Sequence, residues 1–207
     1  MYSKFESLEE DKRQRILNAA MKEFAAKGYD HASTNRIVES AGIAKGLLFH
    51  YFKSKKQLFL YLYDHCLDLA VKEITTKIDY SEKDFFSRML QAQRVKMELI
   101  SVYPDIMDFL KNAYLDESAV VRKDLDERKA GLMLANFQKA FEDIDSSPFR
   151  KDLDVGLVIK TVAWAYEGFA NTFMDRLRHM DTFQIDYEPL FKASEEYTNF
   201  LKKCFYQ

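Results

Sequence analysis

Three prolines and six glycines in 207 residues leave few obligatory turns, so the punctuation that a β-rich or loop-rich fold needs is scarce. Cys66 and Cys204 are isolated and share no C-x-x-C spacing, which excludes a disulfide framework; both are read as reduced thiols that pack. No apolar run is long enough to span a bilayer, so no membrane partner is expected. The stretch MYSKFESLEEDKRQR is charged and lacks an apolar signal region, which points to a cytoplasmic address. Enzyme signatures are missing as well. There is no phosphate-binding glycine loop, no Gly-x-Ser-x-Gly, no His-Glu-x-x-His and no Glu-x-x-His. His31, His50, His65 and His179 make no obvious metal set. No catalytic residue, metal ligand or cofactor is therefore expected.

What is present is apolar, aromatic and helically periodic. The chain is 47% hydrophobic and 31% charged, with 17 Phe and 12 Tyr, enough to bury a core. With so little Gly and Pro, this predicts an all-α protein. The net charge of −2 hides an asymmetry: residues 1–60 carry 11 Lys or Arg against 7 Asp or Glu, and residues 61–207 carry 20 against 26. A basic head on an acidic body is expected where only the head meets phosphate, although a basic patch also arises as a plain solvated face.

Within the head, STNRIVESAGIAKGLLFHYFKSKKQL at 33–58 reads as helical pieces with two breaks. Ser33 and Thr34 are N-cap types ahead of Ile37, Val38 and Ala41, which share a helical face. Gly42 suits the left-handed residue that ends a helix, and Ile43 is placed to plug the corner. A second short helix follows from about 44 to 51, with Leu48 and Phe52 on its inner side. Ser54-Lys-Lys-Gln57 reads as a capping box for the next helix. Two short helices crossing at a glycine turn make a helix-turn-helix, whose second helix enters the DNA major groove. The bland alternative is an ordinary helical corner. Against it, Phe49 and Tyr51 stand among Lys45, Lys53, Lys55 and Lys56. The candidate DNA-facing set is Thr34, Asn35, Lys45, Gly46, Leu47, Phe49, His50, Tyr51, Lys53 and Lys55.

With Ile16, Leu17, Ala19, Ala20, Phe24, Gly28 and Tyr29 upstream, these residues resemble the N-terminal domain of the tetracycline-repressor (TetR) family of bacterial transcription regulators. The resemblance continues through Thr34, Ile37, Ala41, Gly42, Lys45, Gly46, Leu48, Phe52, Lys55 and Leu58. It covers roughly the first 60 residues; beyond them only length and helical character agree. The family usually has Ser at Ala44, Tyr at Phe49 and a polar residue at Leu47. Those departures remove polar contacts and shift weight to Lys45, His50, Tyr51 and Lys55. The resemblance implies a three-helix DNA-binding head at 1–54 and a helical effector-binding and dimerisation body at 55–207.

Ser7-Leu-Glu-Glu10 reads as a capping box for a first helix ended by Gly28. A long helix runs from Ser54 to about Lys77, out of the head and into the body, where it can carry displacement. Ser81-Glu-Lys-Asp84 reads as the cap of the next helix, and Pro104 as the first turn of another. A helix over about 119–142 contains Gly131, which permits close approach or is a tolerated surface glycine. A loop at Asp143–Pro148 precedes an apolar stretch at 153–177, too apolar for the outer helix of a monomer. A linker from His179 to Asp186 leads to a last helix at about 187–205.

The resemblance implies that the last two helices pair with their symmetry mates as a homodimer, and that middle helices enclose a small effector. Tyr103, Phe109, Tyr114, Trp164 and Tyr166 are candidate pocket residues, though an aromatic stripe is more often plain core. Glu167, if it faced the pocket, would favour a cationic ligand; an apolar or fatty ligand fits as well. The leading expectation is a dimeric repressor that binds a palindromic double-stranded DNA operator and is released by an effector. The rival is a helical protein-interaction module that uses the same corner for protein contacts.

Overall fold

The computed structural model describes residues 2–128, 141–177 and 186–207, with only the backbone of 173–177. The described residues are all-α apart from an isolated antiparallel bridge between Phe149 and Tyr206. The helices are α1 (Ser3–Glu6), α2 (Glu10–His31), α3 (Thr34–Ala41), α4 (Lys45–Phe52), α5 (Lys55–Lys77), α6 (Phe85–Val102), α7 (Pro104–Leu115), α8 (Val155–Leu177) and α9 (Glu188–Phe205). Residues 122–128 are also helical. The chain divides into two compact units, Met1–Ala70 with Tyr103–Met133, and Val71–Val102 with Leu134–Gln207. The expected glycine at 131, half of the helix over 119–142 and His179 with most of its linker lie outside the described residues.

In the first unit α2 packs against α3 and α7. Ile16, Leu17, Ala20 and Phe24 meet Ile37 and Ala41 of α3, Leu48 and Phe52 of α4, and Leu58, Phe59 and Leu62 of α5. Phe109 joins them with its ring 5.6 Å from that of Phe59. α1 was not expected. It inserts Phe5, fully buried, with ring centroids 4.6 Å from Phe52 and 5.3 Å from Tyr61. That short helix uses Ser7, whose hydroxyl donates to the Lys4 carbonyl at 3.1 Å. Ser7 is therefore not the cap of α2, which starts at Glu10 with no side-chain cap. Gly28 interrupts α2 at φ 65°, ψ 178°, a region open to glycine alone, but the helix resumes and ends at His31.

The second unit is built on Phe85, Phe86, Met89, Phe141, Phe149, Val158, Val162 and Leu201. Its α6 is capped by Asp84, which accepts from the Ser87 N–H at 2.8 Å. Ser81, the expected cap, turns instead to Asp79 at 2.6 Å. Gln93, Tyr166, Ser194 and Thr198 form a polar network across α6, α8 and α9. The Ser194 hydroxyl donates to Gln93 at 2.7 Å, and the Tyr166 and Thr198 hydroxyls are in contact. On the outer side of α8 and α9, Leu157, Trp164 and Phe200 are 57%, 64% and 60% exposed. Val162, on the opposite side of α8, is fully covered.

Arg88 is fully buried and donates to Asp143 at 2.9 Å and to the carbonyls of Glu82 and Tyr80. Lys83 pairs with the same carboxylate. Lys83 first, then Arg88, holds the Asp143 carboxyl down from 3.8 to about 2. A depressed carboxylate contributes stability above its unfolded pKa and loses it as pH falls through the folded one. Thermal melts taken from pH 4 down to pH 2 should therefore show a smaller loss of stability for Asp143→Asn than for the natural chain.

Candidate nucleic-acid interface

α3 and α4 are positioned by backbone chemistry at each end. The Ser33 hydroxyl accepts from the Arg36 N–H at 3.4 Å, and the Ser33 N–H donates to Glu23 of α2 at 2.8 Å. Gly42 ends α3 at φ 66°, and its successor Ile43 donates back to the Val38 carbonyl at 3.0 Å. That 6→1 bond satisfies a carbonyl the helix end would otherwise leave open. Ile43 packs against the core, as its corner position suggested. Leu48 and Phe52, nearly inaccessible, fix the rotation of α4.

The rotation leaves Lys45, Gly46 and His50 exposed on one side of α4, with Leu47 and Phe49 half-buried beside them. Asn35 is exposed at the start of α3 and Thr34 is half-buried. An added Cβ on Gly46 would meet nothing within 4 Å, so the fold does not need a glycine there. Its bare backbone does allow another surface to come close. Tyr51 differs from expectation. It is 8% exposed, with its ring 5.8 Å from Phe5. α1 covers that flank of α4 and turns Tyr51 inward. Lys55 is also engaged: it donates to the Asp30 carbonyl at 3.1 Å and lies 4.9 Å above the Tyr29 ring.

Lys4 was missed in the sequence. Its ammonium lies 3.4 Å from Nε2 of His50. An ammonium only donates, so the ring offers a lone pair there. The signal was available in Tyr2 and Phe5, spaced as an apolar pair around Lys4. Among the described residues no group of three His, Cys, Asp or Glu is placed to hold a metal ion. No helix of the described residues is long and apolar enough to cross a membrane.

The candidate pocket residues are divided. Tyr103, Phe109 and Tyr114 belong to the first unit, and Trp164, Tyr166 and Glu167 to the second. Phe109 is 1% exposed core, Tyr166 sits in the polar network, and Trp164 faces outward from α8.

Residues 16–62 match the model of "Bacterial regulatory proteins, tetR family". That stretch is under a quarter of the chain and takes in α3 and α4. The HTH-type transcriptional repressor AcnR of Corynebacterium diphtheriae is 43% identical over 51 residues, 25% of this chain and 27% of that one. The aligned part thus spans about a quarter of the relative. Two solved structures share the fold over nearly their full lengths. A TetR family regulator from Chloroflexus aurantiacus has a TM-score of 0.68 at 22% identity, covering 99% of this chain and 98% of the other. AibR, in complex with isovaleryl coenzyme A and operator DNA, has a TM-score of 0.65 at 16% identity, covering 90% and 96%. The matched family, AcnR and the Chloroflexus aurantiacus protein are regulators by name, not enzymes.

Lys53, between α4 and α5, has φ 64° and ψ −39°, and the Ser54 N–H donates to the Phe52 carbonyl at 2.7 Å. This is a tight γ-like turn, strained for any residue with a Cβ. Glycine relieves that strain but has more chain entropy to lose. Lys53→Gly should then gain up to about 1 kcal/mol in urea denaturation while leaving the helix content unchanged.

Proposed function

We propose that this chain is a cytoplasmic transcription repressor that binds a palindromic operator as a homodimer and is released by a small-molecule effector. The observation that carries the reading is the solvent-facing set of Lys45, Gly46 and His50 on a helix whose opposite side is locked into the head. A short cationic helix with a bare glycine presents charge to phosphate and leaves room for a backbone. AcnR is named a repressor, and AibR was solved with operator DNA and an acyl coenzyme A, which supports the same two activities here. We also propose a head at 1–54 and a body at 55–207 as the functional division.

The two heads of the dimer should lie about 34–36 Å apart, or a multiple of it, to meet successive major grooves on one face of DNA. Leu157, Thr161, Trp164 and Gly168 recur at three- and four-residue spacing on the outer side of α8, and Phe200 adds to them from α9. Among the described residues that face is exposed, and it suits a second copy. Gly168 is exposed and an added Cβ there meets nothing within 4 Å, so Gly168→Arg is a test of the interface. Sedimentation should give dimers for the natural chain and monomers for Gly168→Arg. A natural chain that sediments as a monomer at micromolar concentration would sink the dimer.

For the DNA face, Lys45 and His50 should fail differently. Lys45 stands at the start of α4, where side chains and free N–H groups meet phosphate. Lys45→Ala should weaken binding to all sequences and reduce the salt slope by about 1. His50 stands further along the helix, where base edges are reached. His50→Ala should cost on the order of 1–3 kcal/mol on the preferred site and relax one or two base pairs. Selection from random DNA reads both. Identical sequence logos for His50→Ala and the natural chain would refute base reading. Absence of steep salt-dependent DNA binding would favour a protein-interaction module.

A further inference from the structure

α1 is a single turn, too short to hold its own conformation. Its neighbours hold it. Phe5 is fully buried, with its ring 5.8 Å from Tyr51 of α4 in addition to its contacts with Phe52 and Tyr61. Tyr2 stands edge-on to Tyr61 at 4.6 Å, and its hydroxyl donates to Gln57 of α5 at 2.6 Å. Arg13 of α2 donates to the Glu6 carbonyl at 2.9 Å, which satisfies a group the helix end would leave open. Tyr2 and Phe5 clamp α1 onto α4 and α5, and Lys4 between them is exposed.

Lys4 brings a cation to a place that already has one. Its ammonium lies 3.4 Å from Nε2 of His50, and that of Lys53 lies 3.4 Å from the His50 carbonyl oxygen. One comes from α1 and the other from the turn after α4. Among the described residues neither forms an ion pair, and Glu6, the carboxylate on α1, makes none with Lys4. Lys56 and Lys111 in the same unit are paired, with Asp124 and Asp108. Two ammoniums gathered at one exposed residue without a counter-charge repel each other, and an anion that reaches them removes that cost.

We propose that α1 is part of the DNA interface, with Lys4 binding a backbone phosphate on the wall of the groove that α4 enters and His50 aiming it there. This rests on the DNA-binding reading given above and adds a contact from outside the helix-turn-helix. An ammonium has three protons, and the one directed at the His50 lone pair leaves two for phosphate oxygens. An ammonium already held in place has less freedom to lose on binding than one moving in solvent. A phosphate fits better than a base edge because α1 covers a flank of α4, and phosphates line the groove on either side of an inserted helix.

The test is fluorescence anisotropy of the full chain on a selected operator over a series of salt concentrations. Lys4→Ala should weaken binding roughly tenfold at low salt and reduce the salt slope by about 1. The sequence logo selected from random DNA should stay that of the natural chain, because a phosphate contact carries no base identity. Lys4→Arg should stay within a few-fold of the natural affinity. In a His50→Ala background Lys4→Ala should cost only roughly two- to threefold, since the lysine is no longer aimed. Lys4 is exposed, so its variants should keep the natural melting temperature. An unchanged salt slope for Lys4→Ala, a changed logo, or the same loss with and without His50 would each overturn the proposal. A natural chain without salt-dependent DNA binding would refute the DNA-binding reading and this contact with it. DNA binding that persists unaltered in Lys4→Ala would refute the contact alone.

Discussion

Asp116 accepts the backbone N–H of Tyr29 at 2.7 Å, and its carboxylate lies 3.5 Å from where a Cβ on Gly28 would stand. The next bonds build outward from it. Asp116 also accepts from the Ser118 N–H at 2.9 Å, and the Ser118 hydroxyl donates to Asp30 at 2.8 Å. Arg122 closes the turn by donating to the carbonyls of Tyr114 and Asp116 at 3.2 Å. Lys55 reaches the Asp30 carbonyl from the start of α5. The end of α2, the start of α5 and the turn after α7 are therefore one bonded corner. α3 hangs from it, since the Ser33 N–H is held by Glu23 of α2. A shift at the 116–118 turn reaches the helix-turn-helix through hydrogen bonds, in addition to any route along α5.

That corner explains why some sequence signals were legible and others were not. Ser33, Gly42, Ser54 and Pro104 do what their neighbours in sequence suggest. Each acts on backbone groups within a few residues, so the local sequence holds the whole interaction. Gln57 is a half case: its N–H takes the Ser54 hydroxyl at 3.1 Å, while its side chain accepts from Tyr2 at 2.6 Å instead of closing the box. Ser7 and Ser81 were claimed by α1 and by Asp79, partners the capping pattern does not include.

Long-range competition also decided the aromatics. Tyr51 and Phe49 looked alike as exposed rings beside lysines. Phe5 draws Tyr51 in from 46 positions away, a pairing no local period encodes. Trp164 and Phe109 were grouped by residue type, but one faces out from α8 and the other fills the core against Phe59.

The same comparison separates the cations of the head. Lys56 pairs with Asp124 at 2.7 Å, Arg13 with Glu10, and Lys55 is spent on Asp30 and the Tyr29 ring. Their charge is already answered within the protein, so moving them to phosphate would break existing bonds. Lys45 forms no ion pair among the described residues, and Lys4 and Lys53 touch only His50. Ordering their side chains costs entropy, but no protein contact of comparable strength has to be surrendered. The basic excess counted over residues 1–60 therefore overstates the charge available to DNA. Of the cations that remain, Lys45 and Lys53 stand at the two ends of α4. There the glycine turn before it and the strained turn after it hold the backbone, and the available cations are already aimed outward before any partner arrives.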